Sequence, residues 1–261
     1  MDPLQFAVSG LELADKTILD AGTGVGRATA FWAGCLEEQN YQSRIISVDL
    51  DLSQARKREV EDRLGSKSRF VELVEGDIRD LSFLQEGAVD IVSCSDTIIF
   101  LSDPPLSILR ALAEFKRVLT TGGHLIITSE FPSTQLDQEE GQWSRWQLIK
   151  SVAALQGTVY STEFLPEELD LALQLWGFKV YDRHDFSPVK ITEFQPLLEE
   201  WRLMIMEQIN NLPWDEGFRL SLQKEVDKIC SRVQDDGYLM GPGKFVLKAR
   251  KGLIGAGAPA G

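Results

Sequence analysis

The stretch Thr17-Ile-Leu-Asp-Ala-Gly-Thr-Gly-Val-Gly-Arg27 constrains this chain more than any other. A short apolar run from Thr17 to Leu19 ends in Asp20. Glycines follow at positions 22, 24 and 26, and Arg27-Ala-Thr-Ala-Phe-Trp-Ala33 then reads as a helix. That order predicts a buried strand, a tight turn and a helix N-terminus. Glycine serves where backbone takes a positive φ or must approach a ligand closely, and a helix start adds unpaired N–H groups and a positive dipole end. The turn is therefore expected to hold a nucleotide-like ligand.

Downstream the same rhythm repeats. Ser43-Arg-Ile-Ile-Ser-Val-Asp49 is a β-branched run ending in a carboxylate, and Leu52-Ser53 opens a charged helix to about Leu64. Arg69-Phe-Val-Glu-Leu-Val-Glu75 is closed by Gly76-Asp77-Ile78, and Val89-Asp-Ile-Val-Ser-Cys94 by Ser95-Asp96. A helix from Leu106 to Leu119 is stopped by Thr120-Thr-Gly-Gly123 before the strand His124 to Glu130. A helix from Pro166 ends at Trp176-Gly177 before Phe178 to His184, and a last strand covers Gly243 to Arg250. Alternation of this kind predicts an α/β fold: a doubly wound, mostly parallel seven-stranded sheet with an antiparallel last strand beside the sixth. Ligands of such sheets bind outside the strand carboxyl ends, where Gly22, Asp49, Asp77, Ser95 and Glu130 all fall.

Two stretches exceed that minimal plan within what reads as a single domain over 1–261. Residues 131–165 interrupt the rhythm and are expected to form a lid-like insertion, and 187–240 a helical cap before the last strand. Trp143, Trp146, Tyr160, Trp201, Met204 and Met206 could wall a substrate there, although aromatic stripes more often serve the core. The small residues of 252–261 suggest a flexible tail.

The formal charge of −13 disfavours a nucleic-acid partner. The three cysteines, Cys35, Cys94 and Cys230, are scattered and odd in number, which supports packed thiols and neither a disulfide framework nor a cysteine zinc site. No His/Asp/Glu cluster has metal-ligand spacing, so no metal is expected. No run approaches the length of a membrane helix and no signal peptide is recognisable, so the expected location is cytoplasmic.

Details of the turn choose among nucleotide-like ligands. A dinucleotide fingerprint calls for Gly or Ala where this chain has Arg27, and Asp20 is poorly suited to a pyrophosphate but well suited to an ammonium and a sulfonium. Asp20 to Gly26 resembles the first motif of the class I methyltransferases that use S-adenosylmethionine. Ile46 to Asp49, Glu75 to Ile78, Val89 to Ser95 and Phe115 to Gly123 are similar to that family's later motifs, in order.

The resemblance implies S-adenosylmethionine as cofactor, bound by Asp20, Gly22, Gly24, Gly26, Arg27, Asp49, Leu50, Asp77, Ile78 and Ser95. The glycines would lie along the methionyl part with Asp20 orienting its amino group. Asp49 would accept from the ribose hydroxyls and Asp77 from the adenine amino group. Ser95, Asp96 and Glu130 are the candidates for the reacting end, with an N-cap for Asp96 and a solvated loop position for Glu130 as the plainer readings. Asp103-Pro104-Pro105 superficially suggests the Asp-Pro-Pro-Tyr loop of amino methyltransferases, but Leu106 replaces the aromatic residue and a turn before a helix explains it better. His124 and His184 lie within strand patterns and read as structural.

The expected activity is methyl transfer to an enclosed small molecule. A protein or peptide acceptor, a catalytically silent cofactor-binding partner subunit and a nicotinamide oxidoreductase are the alternatives.

Overall fold

The computed structural model describes residues 1–39, 41–101, 106–132, 141–157, 164–239 and 243–252. Its chain divides into two compact units, the first made of Met1–Ser129, Leu165–Asp185 and Phe245 onward, the second of Glu130–Phe164 and Phe186–Lys244.

The first unit contains a seven-stranded sheet. Its strands are β1 (Thr17–Ala21), β2 (Arg44–Asp49), β3 (Val71–Glu75), β4 (Val89–Ser95), β5 (Leu119–Glu130), β6 (Phe178–Phe186) and, last in the chain, β9 (Lys244–Lys251). They lie in the order β3-β2-β1-β4-β5-β9-β6, parallel except at the C-terminal end. The expected α/β sheet with an antiparallel last strand is thus present, and β9 sits beside β6 as expected, inserted between it and β5.

Burial along the strands shows why these residues form this sheet. Every residue from Ile18 to Ala21 and from Ile45 to Val48 is buried, as strands covered on both faces require. The edge strands β3 and β6 are mostly exposed or half-buried and tolerate charged residues. Parallel register sets Ile18 beside Ile45 on one side and Ile91 on the other.

Helix α2 (Arg27–Glu38) buries Ala28, Thr29, Trp32, Ala33 and Leu36, a single helical face. The Trp32 indole donates to the buried Ser93 hydroxyl at 3.0 Å. The remaining helices of this unit are α1 (Pro3–Val8), α3 (Gln54–Leu64), α4 (Leu106–Val118) and α6 (Pro166–Leu175). Ser53 caps α3, and Pro166 occupies the first turn of α6 as its sequence predicts.

Two details depart from the sequence reading. The turn expected at Thr120 to Gly123 lies inside β5, where pairing steps from Val89 opposite Leu119 to Ile91 opposite His124. Four residues of β5 thus stand opposite Asp90 alone, a bulge of three extra residues in which Gly122 takes φ +77°. The last strand also carries two buried lysines: Lys248 donates to the Ser9 carbonyl at 2.8 Å and Lys251 to the Leu119 carbonyl at 2.6 Å. Buried ammonium groups need such partners.

The second unit consists of α5 (Gly141–Leu155), α7 (Gln195–Asn210), α8 (Glu216–Asp236) and a two-stranded ribbon of β7 (Lys190–Ile191) and β8 (Tyr238–Leu239). Its core joins Leu148 and Val152 of α5 to Leu198, Trp201, Ile205 and Ile209 of α7 and Val226, Ile229 and Val233 of α8. The two segments that exceed the minimal sheet plan therefore build one core, although more than 20 residues of the first unit separate them in sequence. The expectations at Asp103-Pro104-Pro105, at Tyr160 and for the tail beyond Gly252 lie outside the described residues.

Leu36 of α2 is fully buried. Leu36→Ala is expected to lower unfolding free energy by about 2–5 kcal/mol, measured by urea denaturation with an unchanged slope; a loss below about 1 kcal/mol would show that the face is not packed as described.

Candidate functional site

The glycine turn begins on a buried carboxylate. Asp20, fully buried at the end of β1, accepts through Oδ2 from the Thr29 hydroxyl at 2.6 Å and the Ser47 hydroxyl at 2.9 Å. Thr23 lies 2.8 Å from Ser47, so a chain of hydroxyls links the turn, α2 and β2 to a single anion. Asp20 Oδ1 has no hydrogen-bond partner. Burial pushes this carboxyl up to about 6, against the two hydroxyl hydrogen bonds that pull it down.

Backbone hydrogen bonds then shape the turn. Gly22 and Thr23 both donate to the Val48 carbonyl, at 2.8 and 3.1 Å, and Gly26 donates back to Thr23 at 2.8 Å. Gly22 has φ +102°, and a Cβ there would meet Thr97 Oγ1 at 1.9 Å. Gly26, at φ +80°, starts α2 in a left-handed conformation, where a Cβ would press on Val60. Gly24, at φ +50°, faces open space, a conformation other residues adopt at modest cost.

At the end of β2, Asp49 Oδ2 accepts from the Gly24 N–H at 2.7 Å and Oδ1 from the Asp51 N–H at 3.0 Å. Each carboxylate oxygen retains acceptor capacity, enough for a pair of adjacent hydroxyls. Asp77, just beyond β3, is gripped by Arg79: its carboxylate accepts from the guanidinium at 2.7–2.9 Å and from the Arg79 N–H at 2.8 Å. The Arg79 hydrogen bonds hold the Asp77 carboxyl below the usual range. At the end of β4, Asp96 takes φ +55° and its Oδ2 accepts from Arg27 at 3.2 Å. The short 3-10 turn that follows takes Thr97 as its N-cap residue.

These groups meet in a cavity of about 750 Å³ within the first unit. Of the expected residues, Gly22, Gly24, Arg27, Asp49, Leu50, Asp77, Ile78, Ser95 and Asp96 line it. Asp20 and Gly26 are not among its lining residues, and Glu130 belongs to the second unit. The sequence reading missed Arg79, Thr97, Phe100 and Leu101 in the wall and Thr23, Thr29 and Ser47 around Asp20. Leu50 and Phe100 are more than 60% exposed. Large apolar side chains standing bare around a cavity are what a ligand with a flat apolar part would cover.

The arrangement fits S-adenosylmethionine. A glycine cradle that a Cβ would fill, a carboxylate able to receive a ribose diol, an apolar rim and an acidic bias toward a cationic ligand occur together. His124 is instead bound to the Tyr181 hydroxyl at 2.8 Å, and His184 lies against the Phe6 ring. Cys94 is buried, its thiol pushed up to about 12 by burial, which removes it as a nucleophile. Among the described residues no group of His, Cys, Asp and Glu side chains could hold a metal ion, and no helix is long and apolar enough to cross a membrane.

Two variants test this geometry. Gly22→Ala combines a forbidden φ with a clash and is expected to abolish S-adenosylhomocysteine binding in calorimetry, whereas Gly24→Ala costs roughly 1 kcal/mol of stability and leaves a folded protein. Asp20 holds its proton more tightly folded than unfolded, so stability is highest below the ordinary carboxylate range and falls as pH rises to about 6. At 1.36 kcal/mol per unit this amounts to about 3 kcal/mol. Asp20→Asn should flatten that dependence in denaturation curves taken from about pH 4 to about pH 7; an unaltered slope would contradict it.

Residues 19–127 match a family described as a methyltransferase domain. No curated protein sequence matches the chain. Among solved structures, an S-adenosylmethionine-dependent methyltransferase from Methanosarcina mazei is 14% identical with a TM-score of 0.57, covering 97% of this chain and 99% of its own. Geranyl diphosphate C-methyltransferase from Streptomyces coelicolor A3(2), solved with S-adenosyl-L-homocysteine, is 14% identical with a TM-score of 0.52, covering 95% of this chain and 76% of its own. The [4+2]-cyclase SpnF has the same fold at 18% identity and a TM-score of 0.55, covering 96% of this chain and 80% of its own. At these identities the likeness concerns the fold; the family match identifies residues 19–127 as a methyltransferase domain, and the motifs there, in order, are similar to those of the class I enzymes that use S-adenosylmethionine.

Proposed function

We propose that this enzyme transfers a methyl group to a small-molecule acceptor by in-line displacement, and that the cavity of the first unit is its cofactor site. The observation that carries the reading is the convergence of four neighbouring strand ends, those of β3, β2, β1 and β4, on one cavity. Each contributes a different chemistry. Asp77 and Ile78 follow β3, Asp49 and Leu50 close β2, the glycine turn follows β1, and Ser95 and Asp96 end β4.

In this reading Asp49 receives the two ribose hydroxyls while Leu50 and Ile78 flank the adenine. The glycine turn, with Arg27, accommodates the methionyl end. Arg79 already saturates much of the Asp77 carboxylate, so Asp77 acts on the adenine edge together with Arg79. Asp20 and Gly26 hold the turn from beneath. Ser95 and Asp96 border the reacting end, where Phe100 and Leu101 help to exclude water.

When bound, S-adenosylmethionine supplies a methyl group on a sulfonium, a leaving group that needs no further activation. The residues of the chain then contribute chiefly alignment and proximity. A general base is needed only for an acceptor protonated at working pH.

A small acceptor is supported by the formal charge of −13, which opposes a polyanionic nucleic acid. The name of the Streptomyces coelicolor neighbour, a geranyl diphosphate C-methyltransferase, is in keeping with it. Calorimetry is expected to show one site per chain for S-adenosylhomocysteine. Asp49→Ala should weaken it by about tenfold to a hundredfold, the worth of hydrogen bonds to a charged group, and Asp49→Asn by less. Absence of binding by the unaltered protein would overturn the cofactor site. Formation of S-adenosylhomocysteine with protein or peptide pools, and none with small-molecule extracts, would overturn the acceptor class.

A further inference from the structure

The second unit buries polar groups that its own fold does not satisfy. Gln142 is 1% exposed and neither Oε1 nor Nε2 has a partner; Arg145 is 6% exposed with Nε unpartnered. The indole nitrogens of Trp146 and Trp201 are buried and likewise unpartnered. A buried polar group without a partner is costly, and native interiors hold few of them. Four residues of this kind gathered in one small unit call for a ligand.

Their placement is specific. Gln142, Arg145 and Trp146 stand at i, i+3 and i+4 on α5 and so share one helical face. The Arg145 guanidinium lies 4.2 Å over the Tyr238 ring and 5.9 Å from the centre of the Trp201 ring. Its two terminal nitrogens are anchored, one on the Tyr238 hydroxyl and the other on the Leu239 carbonyl at 3.3 Å, and Nε is the nitrogen without a partner.

We infer that this face of α5, with Trp201 of α7, binds the carboxylate of an organic acid. The open donors are Arg145 Nε, Trp146 Nε1, Trp201 Nε1 and Gln142 Nε2, against one open acceptor, Gln142 Oε1. A carboxylate offers about four acceptor positions, which matches that surplus. Charge points the same way, for burial lowers the Arg145 pKa even though Tyr238 and Glu130 act to raise it. A monoanion compensates that cation, and ordered water does not. This deepens the small-molecule reading by naming organic acids as the class in which to seek the acceptor. The site itself stands on the second unit alone.

The test is a titration of the full-length protein, carrying ¹⁵N-labelled tryptophan, with benzoate in the absence of cofactor, so that it fails or succeeds independently of S-adenosylmethionine binding. The chain has six tryptophans, and Trp146→Phe and Trp201→Phe assign two indole N–H signals. Benzoate is expected to shift both signals saturably and downfield, and benzyl alcohol to leave them in place. Arg145→Met should weaken benzoate by about tenfold or more, as loss of a charge-assisted hydrogen bond demands. If that variant does not fold, Trp146→Phe, which removes one donor and keeps an aromatic ring, is expected to weaken binding severalfold. Indole signals that ignore benzoate, that respond equally to benzyl alcohol, or that respond to inorganic phosphate in its place would overturn the assignment.

Discussion

A single buried carboxylate underlies the first unit's site. Asp20 is an anion in the sheet interior, and its burial is tolerable because Thr29 and Ser47 each spend their only proton on it. Those two hydroxyls belong to α2 and β2, so satisfying Asp20 fixes the first helix and the second strand against the first. Thr23, bound in turn to Ser47, brings the glycine turn into the same arrangement. The turn can then be almost all backbone and still hold one shape. The unpartnered Oδ1 leaves desolvation incompletely compensated, and burial raises the pKa of this carboxyl.

From that anchor the cavity follows with few further requirements. Parallel pairing sets the carboxyl ends of β3, β2, β1 and β4 side by side, and whatever ends those strands must face a common space. Asp49 has two jobs there, bracing Gly24 and presenting acceptors. Asp77 and Asp96 are each held by an arginine, Arg79 and Arg27, which keeps two carboxylates in place without cancelling the acidic bias suited to a sulfonium. The [4+2]-cyclase with the same architecture shows that such a scaffold hosts more than one chemistry, so the assignment leans on these particular side chains and the family match.

The second unit follows a different economy. It is a small bundle whose three helices meet on an aliphatic core, yet at the first turns of α5 that core gives way to an amide, a guanidinium and indole N–H groups. Tyr238 and the Leu239 carbonyl orient the guanidinium, so the unit invests structure in positioning a charge that its own fold leaves incompletely compensated. The feature is coherent as a recognition surface and costly as anything else.

Period and punctuation made the alternation of strands and helices readable, since hydrophobic runs and glycine or proline stops are local properties of the chain. The strand-end residues Asp49, Leu50, Asp77, Ile78 and Ser95 were readable for the same reason: in a parallel sheet the position of a residue at a strand end largely decides where it stands. Three things were not. The hydroxyls of Thr23, Thr29 and Ser47 look like ordinary polar residues until pairing of β1 with β2 brings them to Asp20, and the grip of Arg79 on Asp77 depends on a loop conformation that no spacing specifies. The union of residues on either side of β6 into one bundle, and the burial of Gln142, Arg145 and the Trp146 indole nitrogen within it, required apolar faces distant in sequence to find each other. The sequence by itself determined the sheet, the turn and the chemistry at the strand ends, because these depend on neighbours along the chain. Tertiary structure alone decided which polar groups are satisfied and which are left open, because hydrogen-bond partners and burial are properties of space.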